Sequence, residues 1–223
     1  MKKKNIQPFP VQCVTLGFEL ACGRHIKEFK KFFKIPVLDI YGTSEFGVLF
    51  MECEYGFIHH FPYKTYIETV DRNGRQTSEI GELIVTSFKN KYMPLIRYKT
   101  GDLVKLYETD KCQCGFSGKS IVRFEGRQSE TTYSADNTLV TPRMVDDLVA
   151  QTPKISFYQM EQVSKTTYVF RYVSDKKMSK QEEARLIFSF KKLYGYRSTF
   201  TLQKVENIPV SQSGKYIVSF RAS

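Results

Sequence analysis

The sequence has no run approaching the ~20 apolar residues that a membrane span requires. It has no internal repeat and no low-complexity tract, which excludes repeat arrays and long linkers. It carries no nucleic-acid recognition motif. Its basic start, MKKKN, is not followed by an apolar run, so no signal peptide is expected and the expected location is the cytoplasm. Cysteine is sparse and odd in number: Cys13, Cys22, Cys53, Cys112 and Cys114. Cys112 and Cys114 stand too close in sequence for an ordinary disulfide pair. Without a secretion signal, metal binding is the better reading of a cysteine cluster.

What is present is enough chain for a sizeable core: 223 residues, one large or two small domains. Apolar residues at 41% and charged residues at 26% are those of an ordinary globular protein. The net charge of +11 is high, but the 34 Lys and Arg residues are spread along the chain rather than gathered in one tract. Nucleic acid is therefore an unlikely partner. A phosphate-rich ligand such as ATP or coenzyme A suits a basic surface as well.

Periodicity places short strands at VQCVTL, VLDIYG, GVLFMECE, TYIETVD, GELIVTSF and GDLVKLYE. Asn73-Gly74 marks a turn between two of them. CGRHIKEFKKFF has Ile26, Phe29, Phe32 and Phe33 at helical spacing, stopped by Pro36. The character changes after Gly126-Arg127. Thr141 caps a helix with Pro142 as its first residue, and ISFYQMEQV and TTYVFRYVS read as paired strands. Ser179 and Glu182 form a capping box on a second helix that Gly195 ends. STFTLQKVENI is a further strand. The fold class is α/β and α+β: a sheet-rich part over 1–126 and a small α+β module over 127–223.

Two groups of residues carry chemistry. MECEYGFIHH and KCQCG supply Cys53, His59, Cys112 and Cys114, a Cys3His set common in structural zinc sites, with His60 as an alternative imidazole. The other reading is a buried strand cysteine and a reduced loop pair. The second group begins at DIYGTSEFG, where a buried-looking strand ends in Thr43, Ser44 and Glu45. Taken singly, Asp102 after Gly101 is most often a turn residue, and Lys215 after Gly214 a solvated one.

Four stretches in order resemble one family. YGTSEFG resembles the Y-G-x-T/S-E motif of adenylate-forming enzymes. GELIVTSFKNKYMPLIRYKTGDLVKL is similar to the phenylacetate–CoA ligase branch of that superfamily, with CQCG following at the right distance. FEGRQSE stands where the hinge G-R-x-D stands, and IPVSQSGKYIVSFR resembles the catalytic-lysine motif. The resemblance covers about residues 11–220. It implies ATP-dependent activation of a carboxylic acid through an acyl-adenylate, then transfer to coenzyme A.

On that resemblance Glu45 holds Mg²⁺, Ser44 contacts phosphate, and Tyr41, with Gly42 and Thr43, lies against the adenine. Asp102 accepts the ribose hydroxyls. Arg97 and Arg127 supply positive charge near the nucleotide or at the hinge, and Lys215 reaches the α-phosphate on a mobile lid. The resemblance also implies the zinc site. It departs from the family at Ser129, in place of the hinge aspartate, and at Asp136-Asn137, where a glycine is usual.

The family's glycine-rich phosphate loop stands well upstream of the Y-G-x-T/S-E motif, and this sequence contains none. The chain therefore matches the C-terminal half of a ligase, and little activity is expected of it without the N-terminal half; the expected partner is a complementary N-terminal half or a second copy in a homodimer. The alternatives are a non-catalytic zinc-stabilised binding module or partner subunit, and a basic nucleic-acid-binding protein.

Overall fold

The computed structural model describes residues 11–17, 23–152, 154–211 and 214–222. Cys22 and Ser213 lie outside them. Fourteen strands and three α-helices form two units with separate hydrophobic cores among the described residues.

The larger unit is one eight-stranded sheet in the order β1-β2-β3-β4-β8-β7-β6-β5. Its strands are β1 (Val14–Leu16), β2 (Val37–Thr43), β3 (Gly47–Glu52), β4 (Ile58–His60), β5 (Thr65–Val70), β6 (Gly81–Ser87), β7 (Tyr98–Thr109) and β8 (Gly118–Arg127). Only β1 and β2 pair in parallel, joined through α1 (Gly23–Phe33); the other neighbours are antiparallel. Lys34, at φ +56°, ends α1 just before Pro36. Leu49, Phe50, Ile67, Leu83, Val85, Val104 and Ile121 fill the core beneath the sheet.

Sequence periodicity finds β1, β2, β3, β5, β6 and β7 but passes over β4 and β8. β8 is a central strand, lying between β4 and β7. Its charges hide it. Lys119 donates to the Ile67 carbonyl on β5 (2.7 Å), and Arg123 pairs with the buried Glu125 (2.6 Å), so these charged groups find partners inside the fold.

The β2–β3 junction carries a bulge between Tyr41 and Gly42. A Cβ on Gly42 would sit 2.4 Å from the Gly47 carbonyl oxygen. Only glycine permits that approach, which folds Thr43, Ser44 and Glu45 into a tight turn.

The smaller unit has a four-stranded sheet in the order β13-β12-β11-β14: β11 (Ile155–Gln162), β12 (Thr167–Ser174), β13 (Thr199–Lys204) and β14 (Ser219–Arg221). A two-stranded ribbon, β9 (Thr132–Tyr133) with β10 (Leu139–Val140), precedes it. Asn137 turns that ribbon at φ +65°, a conformation asparagine tolerates. α2 (Pro142–Val149) starts at the Thr141 cap, and α3 (Lys180–Tyr194) starts at the complete Ser179–Glu182 capping box. The core is aromatic: Tyr168, Phe170, Tyr172, Phe190, Tyr194 and Phe200.

The large sheet ends on Arg127, and Ser129 lies in the 3-10 turn Gln128–Glu130 that follows. The units also meet along α2 and β8. Thr141 Oγ1 donates to Glu125 (2.6 Å), Arg143 Nε donates to the Phe124 carbonyl (3.1 Å), and Arg123 bonds Asp147. A Cβ on Gly126 would clash with Pro142 at 2.7 Å, so β8 and α2 are in close contact.

Candidate active site

A cleft of about 880 Å³ opens where β2, the β2–β3 turn, β7, β8 and the 214–218 loop converge. Tyr41, Gly42, Thr43, Ser44, Glu45, Asp102, Arg127 and Lys215 all line it. They come from four separate stretches of sequence and two units of the fold.

Asp102 is nearly buried, at 9% exposure, near the start of β7. One oxygen accepts from the Tyr41 hydroxyl (2.7 Å) and the other lies 3.4 Å from Arg127 Nε. Burial, then the adjacent Asp102 charge, pushes the Tyr41 phenol far above its ordinary value, so Tyr41 stays a neutral donor. Its ring packs on Phe124, with centroids 4.5 Å apart. A carboxylate has about four lone-pair sites, so Asp102 keeps acceptor capacity toward the cleft.

Glu45 is held below the usual carboxylate range, first by its own backbone N–H and then by the Tyr98 hydroxyl at 2.9 Å. The Thr43 hydroxyl lies close enough to add to this effect. Thr43 Oγ1 is buried without a well-formed hydrogen bond, a polar atom left facing the same turn. An ionised, half-exposed carboxylate at the mouth of a cleft is a suitable ligand for a hard cation, and Mg²⁺ fits this donor set.

Lys215 follows Gly214, which has φ +78°, and the Lys215 carbonyl accepts from the Ser211 N–H (2.8 Å). β11 straps the chain that follows. The Tyr158 N–H donates to the Tyr216 hydroxyl (2.8 Å), Gln159 Nε2 to the Ile217 carbonyl (3.1 Å), and the Met160 N–H to the Val218 carbonyl (2.9 Å). The small unit's sheet thus carries this lysine to the large unit's cleft.

Arg97 does not join them. Its guanidinium pairs with Glu68 at 2.9 Å on the outer face, and it does not line the cleft. Arg97 has φ +51° in the bend before β7, and Tyr98, the first residue of that strand, is the one that lines the cleft. Among the cleft residues that sequence reading misses are Tyr98 and Asp39. Asp39 sits on β2 with its N–H on Glu52 Oε2 (2.8 Å). Burial first, then the Glu52 charge, raises its pKa. The string DIYG contains Asp39, but nothing in it distinguishes a cleft acid from a strand-end one.

At the far end of β7 and β8, the ligand atoms of Cys53, His59, Cys112 and Cys114 lie within 4.8 Å of one another. Cys53 Sγ is 3.9 Å from Cys112 Sγ, and Cys114 Sγ is 3.4 Å from His59 Nε2. A tetrahedral zinc with ordinary bond lengths sets about 3.8 Å between sulfurs and about 3.6 Å from sulfur to nitrogen. A disulfide needs about 2.05 Å.

The two cysteine turns repeat one design, CEYGF and CQCGF. In each, the cysteine N–H bonds the carbonyl of the phenylalanine four residues on, and a left-handed glycine, Gly56 or Gly115, donates back to the cysteine. Ser120 Oγ stands 2.8 Å from His59 Nδ1, and Thr109 backs it at 2.7 Å. With Nδ1 donating to Ser120, Nε2 is left bare toward the sulfurs. Burial lowers the His59 pKa, which favours the neutral, ligating imidazole. The zinc donor set therefore fits. His60 is not part of it: it lies buried against Thr65 at 2.9 Å.

No protein-family model matches the sequence, and no curated protein is similar to it in sequence. Solved structures are similar in fold. 2-Hydroxyisobutyryl-CoA ligase, in the postadenylation state with R3-HIB-AMP, has a TM-score of 0.71 and 14% identity over 95% of this chain and 48% of its own. o-Succinylbenzoate CoA synthetase (MenE) from Bacillus subtilis, with the acyl-adenylate intermediate OSB-AMP, has 0.68 and 17% over 97% and 47%. The amide bond synthetase McbA from Marinactinospora thermotolerans has 0.68 and 15% over 92% and 44%. The fold is that of the C-terminal part of adenylate-forming ligases. The chain spans about half the length of each neighbour. Among the described residues, no helix is long and apolar enough to cross a membrane.

Proposed function

We propose that this chain is the nucleotide-closing half of an adenylate-forming acid–thiol ligase of the phenylacetate–CoA ligase kind. The observation that carries the reading is the meeting of Lys215 with Glu45, Asp102 and Arg127 around one cleft. Supporting it, the neighbours named above include structures with acyl-adenylates bound.

In this reading the nucleotide's ribose lies on Asp102, whose carboxylate accepts from the two hydroxyls while Tyr41 and Arg127 hold it in place. The adenine lies beside Tyr41. Ser44 and Thr43 offer hydroxyls to the phosphates. Lys215 places a positive charge at the α-phosphate, where negative charge grows as the carboxylate attacks and pyrophosphate leaves. Mg²⁺, when bound at Glu45, supplies charge neutralisation on the phosphates. Coenzyme A then takes the acyl group. The amide bond synthetase among the neighbours makes an amine the competing acceptor. Zinc at the Cys3His cluster is structural, since four protein ligands leave no open position.

The described residues contain no glycine-rich phosphate loop, so adenylation by this reading requires the complementary N-terminal half. Two measurements test the proposal. AMP should bind the chain alone with micromolar to millimolar affinity, and ATP–pyrophosphate exchange should appear only when the complementary half is added. Binding of neither AMP nor ATP would favour the non-catalytic zinc-stabilised module instead.

A further inference from the structure

Tyr98 is given no part in the chemistry above, yet it is built into the cleft with care. It is the first residue of β7 and lines the cleft four residues before Asp102. Its hydroxyl donates to Glu45 Oε1 at 2.9 Å. Its ring stands edge-on to Phe46, the residue after Glu45, with centroids 5.6 Å apart and planes at 66°. The ring and the hydroxyl thus grip two consecutive residues of the same turn.

The backbone behind Tyr98 is fixed just as firmly. Arg97 has φ +51°, a left-handed conformation that a non-glycine residue seldom adopts. Its N–H donates to Thr86 Oγ1 (3.0 Å) and its guanidinium to Glu68 (2.9 Å). These two contacts hold the strained residue and turn its neighbour inward. Strain retained next to a cleft is a reason to look for what it aims.

We propose that Tyr98 is a positioning residue: it fixes the Glu45 carboxylate in the orientation that receives a divalent cation carried with a nucleotide. The inference rests on the adenylate-forming reading of the cleft. A free glutamate side chain samples several rotamers, and its carboxylate rotates broadly. Tyr98 removes that freedom by occupying one lone-pair site of the carboxylate. The remaining sites serve the cation. The arrangement is the carboxylate counterpart of an outer-sphere partner orienting a metal-ligating histidine.

The test uses Mn²⁺ as a spectroscopically visible divalent probe, with the non-hydrolysable ATP analogue AMP-PNP and the intact chain. AMP affinity is first measured without metal, by calorimetry. Mn²⁺ affinity in the ternary complex is then measured by electron paramagnetic resonance for the wild type, Tyr98→Phe and Glu45→Gln. The expected result for Tyr98→Phe is a loss of about tenfold in Mn²⁺ affinity. Metal-free AMP affinity should stay within about twofold, because the phenylalanine keeps the ring.

Glu45→Gln should lose the Mn²⁺ site entirely. Phe46→Leu, which loosens the ring while leaving the hydroxyl, should give an intermediate loss and covers the case of a poorly folded Tyr98→Phe. Unchanged Mn²⁺ affinity in Tyr98→Phe, with AMP binding intact, overturns the positioning role alone. No AMP binding by the wild type in the metal-free titration overturns the adenylate reading and the positioning role together.

Discussion

At one end of the β7–β8 pair, Thr109 and Ser120 stand behind His59, and four ligand atoms point at one another within 4.8 Å. At the other end of the same two strands, Asp102 and Arg127 face a cleft of about 880 Å³. The cluster end is complementary to itself plus one small ion. The cleft end stays open, with side chains of both units facing it. Groups of the first kind are expected to hold the fold together, and groups of the second kind to cost stability and supply function. One hairpin does both, so substitutions at its two ends should move different observables.

The largest effect belongs to the cluster. Metal analysis should find about one zinc per chain, and its removal by chelator, or the substitution Cys112→Ala, should lower Tm by about 10 °C or more. A folded, metal-free protein of unchanged Tm would break the comparison at that end. Next is Lys215→Ala in the completed enzyme. Adenylation should fall by about 10²–10³-fold with Tm unchanged, while thioester formation from supplied acyl-adenylate persists. Equal loss in both steps would remove the assigned role.

Third, Asp102→Asn should weaken AMP binding by about tenfold, because charge-assisted hydrogen bonds become neutral ones. Unaltered affinity would place the ribose elsewhere. The smallest effect, and the one of opposite sign, is at Asp39. Burial and Glu52 raise its pKa above the ordinary 3.8, so the folded protein prefers it protonated. Its contribution to stability is full below pH 3.8 and lost as pH rises through the folded-state value. Near pH 7 the charge therefore opposes folding, and Asp39→Asn should raise Tm by a few degrees. That gain should disappear in titrations below about pH 3.8, where aspartate is already neutral in both states.

The parts of this molecule that announce themselves in sequence do so through local chemistry. Thr141 and the Ser179–Glu182 box mark two helices because caps act within four residues. The Cys3His set is legible because zinc selects ligand types rather than order. What escaped depends on contacts made across the fold. β8 escapes the periodicity because Lys119, Arg123 and Glu125 interrupt it, and their partners lie on β5, on the strand itself and at α2. Arg97 was expected at the nucleotide on the resemblance of PLIRYKTGD, and the left-handed backbone that accompanies its turn toward Glu68 leaves no mark in the sequence.

The seam between α2 and β8 has a kinetic consequence. Glu125, at 1% exposure, takes a hydrogen bond from Thr141 across that seam and another from Arg123 on its own strand. A swing of the small unit about the Gln128–Glu130 turn that carried α2 away would strip the first bond, leave the second, and let water reach a carboxylate that had none. Such a swing would have a threshold to climb before it began.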